Sequence, residues 1–378
     1  VRAFSIKRKK NTEETMIKSL AAGLVLALMA LPAHAVGVPE NYPPSYKAML
    51  AAAEKEGKVV VYSNTEQFAV NPVLDAFQAA FPNIKLDYVE IKSSELYNRF
   101  VSEASAGALQ GDVIWSSSMD LQFKLLDEGF AQAYASPEKP ALPAWAVYKD
   151  LGYGTTFEPA AFIYNKRVLQ EAAIPKSHAA LAKYLSENAA SLQGKVGTYD
   201  PQKSGLGYFL YSQDLRNGNV LWDIAKGLGQ TKARQYSATG NMLEKVASGE
   251  HLLAYNVVGS YALLKAKSDP SMGVVIPNDY AVVMTRIAFV PKDAKRPNAA
   301  KVFLDFVLSK AGQEVIANKA SLFSIRQDVE GEATAAKLTR ELGTAIKPVA
   351  INAELLDLLE PAKRLPFFKK WQGLLEGK

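Results

Sequence analysis

Between Lys58 and Leu126 three short runs of β-branched and aromatic residues each lead into an amphipathic segment, and few folds accommodate that alternation. Lys58-Val59-Val60-Val61-Tyr62 reads as a buried strand, and Val73, Leu74, Phe77 and Phe81 recur at helical spacing over 72–81. Ile84, Leu86 and Tyr88 alternate as a strand does. Leu96, Phe100 and Ala104 stripe a helix over 94–106, Asp112-Val113-Ile114-Trp115 forms the third strand, and a helix passes through Leu121, Leu125 and Leu126. The sequence thus describes a βαβαβα unit, which builds a parallel sheet covered by helices.

A second such cycle runs through strands at 195–199, 252–255 and 273–276 and helices at 207–215, 220–228 and 261–267. Two α/β units predict two lobes. Ala161-Phe162-Ile163-Tyr164-Asn165 on the way out and the run from Val282 to Val290 on the way back are both β-rich, and either can cross between lobes. The expected division is residues 36–160 with 288–378 in lobe 1 and 161–287 in lobe 2. Pro297 starts a helix whose buried stripe is Val302, Phe303, Phe306, Val307, Val315 and Ile316.

Residues 16–35 have a different character: Lys18, an apolar run from Leu20 to Leu31, then Ala33-His34-Ala35. A basic start, a short apolar core and a small-residue exit are the parts of a secretory signal peptide. The run is shorter than the about 20 apolar residues that span a bilayer. Cleavage after Ala35 would free a protein beginning at Val36, with residues 1–15 set aside as an upstream extension. Loss of residues 1–35 removes six basic and two acidic residues, so the net charge falls by four, from +6 to +2. The basic balance therefore gives no case for nucleic acid, which calls for a clustered basic face. There is no cysteine, so neither a disulfide nor a lipid-bearing cysteine is available. If the cell is bacterial, an untethered exported protein is best retained behind an outer membrane, so the periplasm is the expected location.

Ligands of open α/β sheets bind beyond the carboxyl ends of the strands. Four such loops carry hydroxyls or amides into a helix start: Ser63-Asn64-Thr65-Glu66, Ser116-Ser117-Ser118, Lys203-Ser204-Gly205, and the turn from Asn256 to Tyr261. Unpaired N–H groups at helix starts favour anions, although each loop alone also fits simple N-capping. Arg286, inside the apolar run, must reach solvent or meet a buried anion. Other chemistries fare worse. The stretch around Lys203-Ser204-Gly205 lacks the spacing of a phosphate loop, there is no G-x-S-x-G elbow and no H-E-x-x-H, and beyond residue 35 only His178 and His251 are present. His178 is expected at the surface, and His251 as a satisfied structural residue.

These residues carry a resemblance. Val59-Val60-Val61-Tyr62-Ser63, Gly111-Asp112-Val113-Ile114-Trp115, Thr198-Tyr199-Asp200-Pro201 with Ser204-Gly205, Ala247-Ser248-Gly249-Glu250, and Ile287-Ala288-Phe289-Val290-Pro291 before the stretch from Ala299 to Gln313 occur in the order and spacing of a known family. The chain resembles the type II periplasmic solute-binding proteins of ABC transporters, in the branch with ferric-iron, thiamine, phosphonate and sugar-phosphate binders. The resemblance implies an α/β, two-lobed type II fold, each lobe a mainly parallel sheet flanked by helices, joined by two crossing strands and closing by hinge motion. It implies ligand contacts at Ser63, Asn64, Thr65, Ser116, Ser117, Ser118, Ser204, Gly205, Asn256 and Tyr261, to which the residue reading adds Arg286. It also implies an inner-membrane ABC permease as partner. No Tyr-Tyr dipeptide of the ferric-binding kind is present. Trp115, Tyr261, Asp120 and Glu158 keep a cationic solute such as thiamine or a polyamine open, while the hydroxyl-rich loops and Arg286 lean toward an anion bearing phosphate, phosphonate or carboxylate. The expected protein is a monomeric receptor that makes and breaks no bond and needs no cofactor or resident metal. A secreted hydrolase using the same cleft is the competing class.

Overall fold

The computed structural model describes Pro39 and residues 42–377 apart from 321 and 358, so the expected export segment and cleavage point lie outside the described residues. Among the described residues no helix is long and apolar enough to cross a membrane.

The first lobe opens with helix α1 (Tyr46–Glu56), ended by Gly57 in the left-handed conformation, and continues through β1 (Lys58–Ser63), α2 (Gln67–Ala80), β2 (Lys85–Glu90), α3 (Ser93–Ser105), β3 (Val113–Ser116) and α4 (Met119–Asp127). The β-branched run of β1 is buried because it lies inside the sheet, parallel to β2 on one side and β3 on the other, with Val61 beside Tyr88 and Val113. A hairpin of β4 (Val147–Tyr148) and β5 (Gly152–Gly154) completes the outgoing part of this sheet. The chain then enters β6 (Glu158–Asn165), buried along its whole length at the centre of a second sheet.

The second lobe contains α5 (His178–Glu187), β7 (Val196–Tyr199), α6 (Gly205–Arg216), α7 (Val220–Gln230), β8 (Arg234–Tyr236), α8 (Thr239–Ser248), β9 (Leu253–Val258), α9 (Gly259–Ser268), β10 (Met272–Val275) and β11 (Ala281–Met284). The strand β12 (Ile287–Phe289) returns to the first sheet, and α10 (Pro297–Leu308) and α11 (Lys310–Asn318) pack beside α1 and α2. The first sheet has the order β2-β1-β3-β12-β5-β4. Both sheets are mixed: the βα units pair in parallel, whereas β12 runs antiparallel to β3 and β6 antiparallel to β9 and β11, because these strands arrive from the other lobe.

The chain then departs from the expected division, because it crosses a third time. Through Phe323-Ser324 it reaches α12 (Ala335–Leu342), β13 (Ile346–Pro348), which pairs with β11 in the second sheet, and α13 (Pro361–Leu375), which packs on α7. The elements α12, β13 and α13 therefore join lobe 2 rather than lobe 1, while the segment between β13 and α13 also touches lobe 1, where Ile351 N donates to the Trp145 carbonyl at 2.9 Å. The reason is apolar: Phe323, Ala335, Leu338 and Ile346 form a small core with Phe157, Ala281 and Val283 of the second sheet. His178 also differs from its expectation. It is buried, stacked on Tyr280 at 3.8 Å between ring centres, with Nδ1 3.0 Å from Asp279. His251 is buried against the Tyr236 hydroxyl, as a structural histidine should be.

Candidate functional site

The two sheets meet where the crossing strands touch. Thr155 N donates to the Arg286 carbonyl at 2.9 Å, and Arg286 N donates to Thr156 Oγ1 at 3.0 Å. At that junction Arg286 is almost fully buried, and the anion it meets is Glu158 at the start of β6. Its Nε lies 2.7 Å from Glu158 Oε1 in ionic contact, and Nη2 donates to Oε2 at 3.1 Å. Nη2 also reaches the Tyr261 hydroxyl at 3.0 Å, and Nη1 donates to Thr65 Oγ1 at 3.1 Å. Burial, the largest single influence, opposes the guanidinium charge, but Glu158, Tyr261 and Tyr88 together outweigh it and the pKa of Arg286 is raised. Thr156 and Ser260 donate hydroxyls to the same carboxylate at 2.8 and 2.7 Å. With Nη1 and Nη2 hydrogen-bonded and Nε in ionic contact, Arg286 organises the junction from within.

In front of this pair lies a cavity of about 150 Å³, bordered from lobe 1 by Asn64, Glu66, Glu90, Lys92, Ser93 and Ser117 and from lobe 2 by Tyr199, Leu206, Ser237, Thr239, Asn241 and Tyr261. Asn64 clamps two of its loops, since its Nδ2 donates to Ser117 Oγ at 2.8 Å and its Oδ1 accepts from Ser117 N at 2.9 Å. The lobes touch directly: Leu206 N donates to Ser93 Oγ at 3.2 Å, and Gly205 packs so closely on Leu121 and Ser118 that a Cβ there would lie 2.8 Å from Leu121 Cδ1. Glu66 also crosses the cleft. Its N–H donates to the Tyr261 hydroxyl at 3.1 Å, and its Oε1 accepts from Gly240 N at 3.0 Å. Burial raises the Glu66 pKa, and the Gly240 N–H works against that rise. The Tyr199 hydroxyl is bonded to Thr239, and burial lifts the pKa of both Tyr199 and Tyr261.

The residues expected at a ligand divide by position. Asn64, Ser117, Tyr261 and Arg286 border the cavity. Ser63, Thr65 and Ser116 form its backing, where Ser63 Oγ accepts from Thr65 N and Ser116 Oγ from Ser118 N. Ser118 is buried beside Gly205, and Ser204 caps α6 by accepting from Gly207 N at 3.1 Å. Asn256 is elsewhere: it sits in β9 at φ 65° and donates to the buried Asp214 at 2.7 Å, an internal tie within lobe 2. Trp115 faces the core of lobe 1, its Nε1 donating to Thr155 Oγ1 at 2.8 Å, so it cannot stack on a solute. Neither histidine borders the cavity.

Asp120 is likewise absent from the cavity wall. It is buried in α4, and desolvation pushes its carboxyl up to about 7. Because the folded value exceeds the unfolded one, its stabilising contribution is full below about pH 4 and is lost as pH rises through 7. Asp120→Asn is therefore expected to gain stability relative to the parent at pH 8 but not at pH 4, by about 1 kcal/mol or more. Urea unfolding at the two pH values measures it, and an equal difference at both refutes it.

The sequence reading passed over Glu66, Lys92, Ser93, Tyr199 and Thr239. Glu66 closes one of the quoted loops and Tyr199 precedes another, so position after a strand was the available signal. For Ser93 and Thr239 it was a hydroxyl in the first turn of a helix.

Two sheet-built lobes with adjacent crossing strands and a polar chamber between them define a two-lobed binding protein. The family model for bacterial extracellular solute-binding proteins matches residues 73–340, and the chain belongs to that family. It is similar to the substrate binding protein of an ABC transporter from Agrobacterium tumefaciens, at 34% identity and a TM-score of 0.81 over 84% of this chain and 94% of that one. The periplasmic binding protein AfuA from Actinobacillus pleuropneumoniae, with fructose-6-phosphate bound, matches at 19% identity and a TM-score of 0.67 over 85% and 99%. Iron-bound HitA from Pseudomonas aeruginosa matches at 20% and 0.62 over 83% and 99%. The last two likenesses concern the fold.

Proposed function

We propose that this solute-binding receptor of an ABC transporter captures, outside the cytoplasm, a small polar solute bearing a phosphate, phosphonate or carboxylate and hands it to an inner-membrane permease. The observation that carries the reading is the cavity wall: Thr239 and Asn241 at the start of α8, Lys92 and the Arg286 guanidinium border a chamber that also presents the hydroxyls and amides of Asn64, Ser93, Ser117 and Ser237, beside the carboxylates of Glu66 and Glu90. In this reading the helix start and Lys92 take the anionic group, while Asn64, Ser117 and Ser237 bind the hydroxyls of the solute body. Arg286, neutralised by Glu158, holds Thr65 and Tyr261 in place. The sugar phosphate bound by the AfuA relative is a solute of this class.

A cationic solute is the second reading, favoured by the carboxylates of Glu66 and Glu90 on the same wall and by Phe68 packed edge-on against Tyr261 at 5.1 Å. Iron fits less well. Among the described residues no group of three or more His, Cys, Asp or Glu side chains is placed to hold a metal ion. A hydrolase lacks a histidine base at the cavity.

A thermal-shift panel separates these readings. A solute at 100 times its Kd adds about 2.7 kcal/mol to stability. Stabilisation by sugar phosphates or dicarboxylates, and none by thiamine, spermidine or ferric citrate, is the expected pattern; the reverse pattern overturns the anionic assignment.

A further inference from the structure

The helix α8 has no cap of its own. Alanine, a poor N-cap residue, occupies that position at 238, and its side chain offers no acceptor. The acceptor comes from the other lobe instead: Glu66 reaches across the cleft to Gly240 N at 3.0 Å. Two further details fit that use of the carboxylate. Glu66 stands at the N-cap of α2 but makes no side-chain cap there, since Gln67 N is satisfied by Glu90 at 2.8 Å. A Cβ on residue 240 would lie 2.1 Å from Glu66 Oε2, so the carboxylate fits only because glycine stands there.

We propose that Glu66 sets the specificity of the cleft as an internal stand-in for the solute: it ties the two lobes together by capping α8, and an acidic solute displaces it from Gly240. The second half rests on the anionic reading above; the first half does not. Unpaired N–H groups at the first turn of a helix attract one carboxylate or phosphate, and the two anions repel each other, so they compete for a single place. Capture of an acidic solute is then an exchange of one anion for another at α8. A solute without an acidic group leaves Glu66 in place and gains nothing from that helix.

Two measurements on full-length protein test this. Solution scattering of solute-free material, checked by mass spectrometry, should give a larger radius of gyration for Glu66→Ala than for the parent, with Glu66→Gln in between. Gly240→Ala should open the lobes in the same way while leaving the carboxylate intact. Calorimetry with inorganic phosphate as probe should show binding about tenfold tighter in Glu66→Ala. An unchanged radius in both Glu66→Ala and Gly240→Ala overturns the latch whatever phosphate does. Equal phosphate affinity in parent and Glu66→Ala overturns the exchange. If neither protein binds phosphate, the anionic reading of the cavity fails, and the radius alone still decides the latch.

Discussion

Arg286→Ala is expected to destabilise the protein by about 3–5 kcal/mol, because it leaves the buried Glu158 carboxylate facing Thr156 and Ser260 without its counter-charge. Glu158→Ala should cost a similar amount from the other side, stranding a guanidinium that is almost completely buried. The informative variant is the pair. Arg286→Met with Glu158→Gln removes both charges, keeps an acceptor for the two hydroxyls and should recover most of the loss, since a buried ion pair returns little beyond its own desolvation. Urea unfolding of the three variants measures this, and a double variant no better than either single one would show that the site tolerates no uncharged substitute. The same experiment bears on solute binding. In the proposed site Arg286 holds Thr65 and Tyr261 and Glu158 acts through Arg286, so a double variant that folds but binds weakly separates positioning from stability.

A comparable loss is expected where the last helix meets the second lobe. Trp371 of α13 is buried, stacked on Tyr211 at 4.2 Å between ring centres, and its Nε1 donates to Gln235 at 3.3 Å. Beside it Phe367 packs against Tyr208 and Trp222 at 5.2 and 5.3 Å. These rings fasten the C-terminal helix to lobe 2, and Trp371→Ala should cost about 3–5 kcal/mol. The change should also expose 361–375 to limited proteolysis before the rest unfolds. Parent-like melting together with resistance to cleavage would mean that α13 is held by other contacts.

What the sequence revealed follows from the reach of each signal. Strands β1 and β3 and the crossing strands were legible because burial on both faces demands an unbroken apolar run, a local property. Helix α2 was recognised but begins five residues before Pro72, the residue chosen as its start, because the helix carries that proline in its second turn. The return of β13 and α13 to lobe 2 was illegible: the aromatic stripe of α13 says that it docks, not on which of two similar faces. Trp115 and Asp120 looked like ligand groups for a related reason. They flank a strand end, where solutes bind, yet Trp115 turns into the core of lobe 1 and Asp120 is buried away from the cavity wall, close enough to Arg364 of α13 to feel its charge. Arg286 was rightly singled out as needing an anion, but its partner lies 128 residues away and comes together with it only through the antiparallel approach of the crossing strands. Glu66 escaped notice because an acid at a helix start is ordinarily a cap for that helix, whereas here it serves another.

The third passage of the chain between the lobes has a mechanical consequence. A pair of adjacent strands resists bending weakly in the direction normal to its plane, and it also yields to twist about its own length. Here Phe323 accepts from Phe157 N at 3.0 Å, Ser324 forms a bridge with Thr156, and Gln313 donates to the Thr155 carbonyl at 2.8 Å, which adds a third band beside the first. Widening a flexible strip raises its torsional stiffness while leaving its fold line soft. The third band is expected to restrict the lobes to one rotation, so that on closure Glu66 would again face Gly240, and Ser93 face Leu206, without a search in register.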